Sequence, residues 1–117
     1  MERHHLAIVI PAYNESNNIS LVISNCKKYG HVIVVDDGSS DSTLEIASSN
    51  ANKVIRHKIN RGYDAALTSG LNYASNKKYK YVITFDADGQ HDHNQIPMFI
   101  KKLDSGFDLV IGKRSKM

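Results

Sequence analysis

The stretch "YVITFDADGQHD", residues 81–92, decides the fold. Tyr81, Val82, Ile83, Phe85 and Ala87 make an apolar run, and Asp86, Asp88 and Asp92 gather at its end. A continuous apolar run predicts a strand covered on both faces, as parallel strands are. Carboxylates placed where such a strand ends predict a binding edge rather than packing.

Working outward, four more runs have the same character: "LAIVI" (6–10), "HVIVV" (31–35), "KVIRH" (53–57) and "DLVIG" (108–112). Helical spacing fills the gaps between them. Ile19, Val22, Ile23 and Cys26 recur at i, i+3, i+4 and i+7, with Gly30 as the stop. Tyr63, Ala66, Leu67, Gly70, Leu71 and Ala74 continue one apolar face, as do Ile96, Phe99, Ile100 and Leu103 before Gly106. Pro97 sits in a first turn, where its missing N–H is tolerated. In "SDSTLEIASS", Ser42 and Glu45 have the spacing of a capping box and predict a short helix. The order β-α-β-α-β-α-β-α-β predicts an α/β fold, a Rossmann-like three-layer αβα arrangement with a mostly parallel sheet.

The chain has 117 residues, 41% hydrophobic and 23% charged, which predicts one globular domain and excludes a disordered chain. The net charge is only +3, and Lys and Arg are scattered apart from Lys113, Arg114 and Lys116. No nucleic-acid partner is expected from that distribution. Cys26 is the single cysteine, so no intrachain disulfide forms; it is expected to be a small buried hydrophobe in a reducing, cytoplasmic setting. "MERHHLAIVIPAYNE" has no signal-peptide pattern, and no run reaches the length of a membrane span. Any membrane association is expected to come from parts not in this chain.

Parallel strands share a direction, so their C-terminal ends lie on one edge. "PAYNE" (11–15), "DDGSSD" (36–41) and "DADGQHD" (86–92) each follow a strand and meet there. Asp36, Asp37, Asp86 and Asp88 are expected close together, and a divalent cation would relieve their repulsion. On an extended backbone Asp86 and Asp88 point the same way, and Gln90 continues that parity. Hard oxygen ligands of this kind suit Mg²⁺ or Mn²⁺, ions that share their shell with substrate phosphates. A diphosphate is therefore the expected ligand. His91 and His93 suggest zinc, but no Cys or third His stands nearby in sequence, and exposed loop histidines are the expectation.

Four blocks, "IPAYNE", "VVDDGSSDST", "NRGYDAALTSGLNYA" and "FDADGQHD", resemble those of family 2 glycosyltransferases in order and spacing, across Ile8 to Arg114. "DADGQH" followed by "DLVIGKR" is most similar to the polyprenyl/dolichol-phosphate sugar transferase branch. The resemblance implies an A-type glycosyltransferase fold and metal-dependent, inverting sugar transfer from a nucleoside diphosphate sugar of UDP or GDP type. The acceptor it implies is a lipid phosphate or a saccharide. It also implies residue roles. Pro11, Ala12, Tyr13 and Glu15 border the nucleoside. Asp37 accepts a ring N–H of the base, and Asp36 orients the loop. Asp86 lies near ribose and metal and, with Asp88 as main metal ligand, serves catalysis. Gln90 is a further ligand, and Arg114 approaches a phosphate.

The chain departs from the family pattern at two positions. Asp64 stands where the third block usually has a second Gly, so donor binding is expected to differ, and His93 stands where Pro is usual. Family members continue into an acceptor-binding half, so residues 1–117 are expected to be the nucleotide-sugar-binding part. The last strand, as an apolar edge, invites homodimerisation. Two other readings compete: a nucleotide-sugar-binding module without turnover of its own, and a nucleotidyltransferase. The latter would need a Gly-rich basic loop after the first strand, and "PAYNESNN" is not one.

Overall fold

The structure, a computed structural model, describes residues 3–88, 95–104 and 109–111. A single 3-10 turn, Arg3–His5, leads into β1 (Leu6–Ala12). There follow α1 (Ile19–Cys26), β2 (His31–Asp37), α2 (Thr43–Asn50), β3 (Lys53–His57), α3 (Tyr63–Asn76), β4 (Tyr81–Thr84), α4 (Ile96–Asp104) and β5 (Leu109–Ile111). The five strands form one sheet in the order β3-β2-β1-β4-β5, and every pairing is parallel.

β1 is the middle of the five strands, and it is apolar on both faces along its whole length. Ile8 is in register with Val32 of β2 and with Ile83 of β4. Every residue of β1 is buried. Alternate residues face two helix layers. Leu6, Ile8, Ile10, Val32, Val34, Ile83 and Phe85 pack with Ile19, Val22, Ile23 and Cys26 of α1, Ala47 of α2 and Ile96 of α4. Ala7, Val9 and Ile33 turn to the opposite face and pack with Ala74, Leu67 and Leu71 of α3. Helices thus cover both faces, as the continuous apolar runs predict. Gly70 lets α3 lie close to the sheet: a Cβ there would stand 2.3 Å from Cγ1 of Val9 and 3.1 Å from Cγ2 of Val35.

Three local expectations change. Gly30 does not end α1, which closes at Cys26 with the Lys27 N–H on the Ile23 carbonyl. Gly30 is required by packing instead, since a Cβ would lie 2.7 Å from the Leu6 carbonyl oxygen. Ser42 precedes α2 but its hydroxyl caps nothing. The Asp41 carboxylate accepts the Thr43 N–H at 2.9 Å and the Thr43 hydroxyl as well, because a carboxylate two residues upstream outcompetes a neutral hydroxyl. Tyr63 is not on the apolar face of α3 but 51% exposed at its first position.

Candidate functional site

Three loops meet at the C-terminal edge of the sheet, and their polar residues tie them together. Asn14 adopts φ 53°, a left-handed conformation that Asn tolerates. It donates its N–H to Ser39 Oγ at 2.9 Å, and its side-chain oxygen accepts the Ser40 N–H at 2.8 Å. The Glu15 N–H reaches Thr43 Oγ1 at 2.9 Å, and the Ser16 N–H reaches Asp41 Oδ2 at 3.2 Å. The bond from the Thr43 hydroxyl, with those from the Thr43 and Ser16 N–H groups, outweighs burial and lowers the Asp41 pKa to about 2. "SSDST" therefore holds the β1–α1 loop in place. Gly38, at φ 76°, brings the β2–α2 loop against the next one, where a Cβ would meet the Asn60 nitrogen at 2.6 Å.

The result is a cleft of about 280 Å³ between the ends of β1 and β4, lined by Pro11, Tyr13, Glu15, Tyr63, Asp86, Ala87 and Asp88. The strand order reverses between β1 and β4, with β2 and β3 on one side and β5 on the other, and such a point is where open α/β sheets bind ligands. Tyr13 is 48% exposed and presents a ring to the cleft. Ala12 is buried in the core and does not line the cleft. β4 ends at Thr84, so Asp86 and Asp88 lie beyond the strand; both still face the same cleft. The Tyr63 hydroxyl donates to Asp86 Oδ1 at 3.2 Å.

Asp36 and Asp37 do not join them. Adjacent residues on a strand point to opposite faces, and neither lines the cleft. Asp37 turns to the α3 side, buried, in register with His57. Its Oδ1 accepts from His57 Nδ1 at 2.8 Å and the Arg61 N–H at 2.9 Å, and its Oδ2 accepts the Gly62 N–H at 2.9 Å. Burial pushes its pKa up, but the N–H bonds of Arg61 and Gly62 and the bond and charge of His57 together hold it below the ordinary carboxylate value. An ionised carboxylate only accepts, so His57 Nδ1 carries a proton toward Asp37, and Nε2 is hydrogen-bonded to the Ser69 hydroxyl at 2.8 Å. Asp36 is 1% exposed, and both its oxygens are without a hydrogen-bond partner among the described residues. Asp37 is the carboxylate that holds a loop, the one between β3 and α3, through the Arg61 and Gly62 N–H groups. The expected meeting of four carboxylates reduces to Asp86 and Asp88, joined by Glu15.

Gln90, Arg114, His91 and His93 lie outside the described residues. Among the described residues no group of three or more His, Cys, Asp and Glu is placed to hold a metal ion. Asp64 is exposed in the first turn of α3, where a negative charge suits the helix N-terminus. Cys26 is fully buried, and burial pushes its thiol up to about 12. No described helix is long and apolar enough to cross a membrane. Tyr63 and His57 are the site residues that local spacing misses. Their partners stand 23 and 20 residues away. The one local sign is that both flank the "NRG" turn.

The fold is shared with known enzymes. Glucosyl-3-phosphoglycerate synthase from Mycobacterium tuberculosis in complex with UDP superposes with a TM-score of 0.70 at 24% identity, covering 89% of this chain and 41% of that one. The same enzyme with Mn²⁺, UDP and glucosyl-3-phosphoglycerate gives 0.66 at 22% identity, covering 86% and 39%. These likenesses establish the A-type glycosyltransferase fold. In sequence, an uncharacterised protein of Methanocaldococcus jannaschii is 42% identical over 117 residues, covering 97% of this chain and 48% of that protein. Polyprenol monophosphomannose synthase of Mycolicibacterium smegmatis is 32% identical over 117 residues, covering 92% and 44%. The chain spans about half the length of these relatives or less. The pattern of glycosyl transferase family 2 matches residues 7–116, nearly the whole chain, and the chain belongs to that family.

Proposed function

We propose that residues 1–117 form the donor-binding part of a glycosyltransferase that moves a sugar, with inversion, from a nucleoside diphosphate sugar to a polyprenyl phosphate or saccharide acceptor. The observation that carries this reading is the shared cleft: Tyr13 and Glu15 from the end of β1 face Asp86 and Asp88 from the end of β4.

Two carboxylates on one cleft fit Mg²⁺ or Mn²⁺, which take one or two protein carboxylates and complete their shell with water and phosphate oxygens. Asp86 and Asp88 would hold the ion, with Gln90 as a further ligand. When bound, the ion stabilises the charge of the departing nucleoside diphosphate. Tyr13 offers a face for the base, and Pro11 shapes the floor. Asp37 Oδ2 accepts one bond, from Gly62, and a carboxylate oxygen has room for a second. A base N–H is its proposed donor, and both uracil and guanine supply one. Arg114 is proposed to approach a phosphate. An acceptor phosphate is already anionic and needs little help from a base, which favours a lipid phosphate of the kind named for the Mycolicibacterium relative. A second copy joined along β5, one of the two edge strands of the described sheet, belongs to the same proposal.

Calorimetry with UDP, GDP and CTP, each with and without Mn²⁺, tests this reading. Metal-dependent binding of UDP or GDP is expected, and lost on Asp88→Ala. Equal binding without metal, or preference for CTP, overturns it. A second reading, a binding module without turnover, is favoured by the described lining of the cleft, whose polar groups the proposal assigns to the donor. Release of nucleoside diphosphate from a donor sugar with Mn²⁺ and polyprenyl phosphate would defeat it.

A further inference from the structure

We propose that His57 is a positioning residue for the cleft: through Asp37 it fixes the loop between β3 and α3, and through that loop it sets where Tyr63 meets Asp86. The importance of that placement rests on the donor-site reading above; the placement itself rests on hydrogen bonds.

His57 ends β3 and is 7% exposed, and each ring nitrogen is bonded at 2.8 Å, one to Asp37 and one to Ser69. The ring therefore pins the end of β3 to both β2 and α3. Lys58, Ile59, Asn60 and Arg61 are all exposed, so burial holds the connecting loop very little. The Asp37 carboxylate holds it instead, through the N–H groups of Arg61 and Gly62. Gly62 has φ 101°, a left-handed conformation, and caps α3 with its carbonyl on the Ala66 N–H. The next residue is Tyr63, whose hydroxyl is on Asp86. From Ser69 to Asp86 every step is a hydrogen bond or a chain link. Removing His57 takes away the one side-chain bond that fixes Asp37 from the β3 side, so the carboxylate is held only by the two loop N–H groups it is needed to hold.

The test uses the full 117-residue chain. Amide exchange at Arg61 and Gly62 is followed by NMR, and UDP and GDP affinity with Mn²⁺ by calorimetry. His57→Ala is expected to speed exchange at both amides by about tenfold or more and to weaken nucleotide binding by about 5–20-fold. His57→Asn, whose amide N–H occupies the place of Nδ1, is expected to restore both to within about threefold. Combining His57→Ala with Tyr63→Phe is expected to cost no more than about twofold beyond His57→Ala alone, since both act on one path. Unchanged exchange in His57→Ala, no rescue by His57→Asn, or fully multiplicative losses would overturn the proposal. If His57→Ala does not fold, His57→Gln replaces it, because its amide reaches toward Ser69 and leaves Asp37 without its side-chain donor. If the unsubstituted chain binds neither UDP nor GDP, the proposed function falls, and the exchange rates alone decide for or against the loop.

Discussion

The hydroxyl of Tyr63 is hydrogen-bonded to Asp86 across 23 residues of sequence, joining the start of α3 to the acidic turn after β4. Both groups are at least half open to solvent or lie at the cleft, so the bond adds little to stability. It biases Asp86 toward one rotamer. Tyr63→Phe is expected to leave the melting temperature within about 2 °C of the unsubstituted chain. The same change is expected to weaken Mn²⁺-dependent UDP or GDP binding by about 3–10-fold, measured by calorimetry. Unaltered affinity would remove Tyr63 from the site.

Asp88 is half-buried and lines the cleft. Asp88→Ala is expected to lower metal-dependent nucleotide affinity by at least about tenfold while the chain stays folded. Far-UV circular dichroism and a Mn²⁺ titration followed by water-proton relaxation separate the two effects. Retained Mn²⁺ enhancement in the variant would contradict the assignment.

Gly70→Ala adds a methyl group 2.3 Å from Val9 Cγ1 on the central strand. Helix propensity favours Ala by about 1 kcal/mol, but overpacking a full core costs about 1–3 kcal/mol and here meets a wholly buried partner. A net loss of about 1–2 kcal/mol is expected from urea unfolding. Val9→Ala in the same chain is expected to recover part of it.

Asp41 titrates at about 2 in the fold, against an ordinary value of 3.8. A carboxylate with a depressed folded pKa stabilises the fold at pH above 3.8, and that contribution is lost as pH falls toward 2. Asp41→Asn removes the titration and keeps one acceptor oxygen. Thermal unfolding followed from pH 5 to pH 2 is expected to fall less steeply in the variant; parallel curves would refute the assignment.

Cys26, with its thiol at about 12 and fully buried, has almost no thiolate at pH 8. A disulfide reagent at pH 8 is expected to label it only in urea. Prompt labelling of the native chain would place Cys26 at the surface.

Much of this protein was legible in one dimension. The five described strands and three of the four described helices follow from apolar runs and 3.6-residue spacing, because a parallel strand and a helix face each declare burial within a few neighbouring residues; α2 is read from its capping-box spacing. The placement of "PAYNE" and "DAD" on one edge follows from strand direction alone. The caps were less legible. Ser42 and Glu45 have capping-box spacing, yet Asp41 takes the Thr43 N–H, a choice between near-equal local bonds.

What tertiary structure alone decided is which polar groups pair across the loops. Asp36 and Asp37 look alike in sequence, but strand parity sends one to each face, and only Asp37 finds His57, Arg61 and Gly62. Tyr63 falls on an apolar spacing, yet it reaches Asp86. Apolar burial leaves a periodic trace along the chain because it is a surface effect summed over many neighbours. A hydrogen bond joins two atoms at about 3 Å, and nothing in either residue's own neighbourhood names the distant partner.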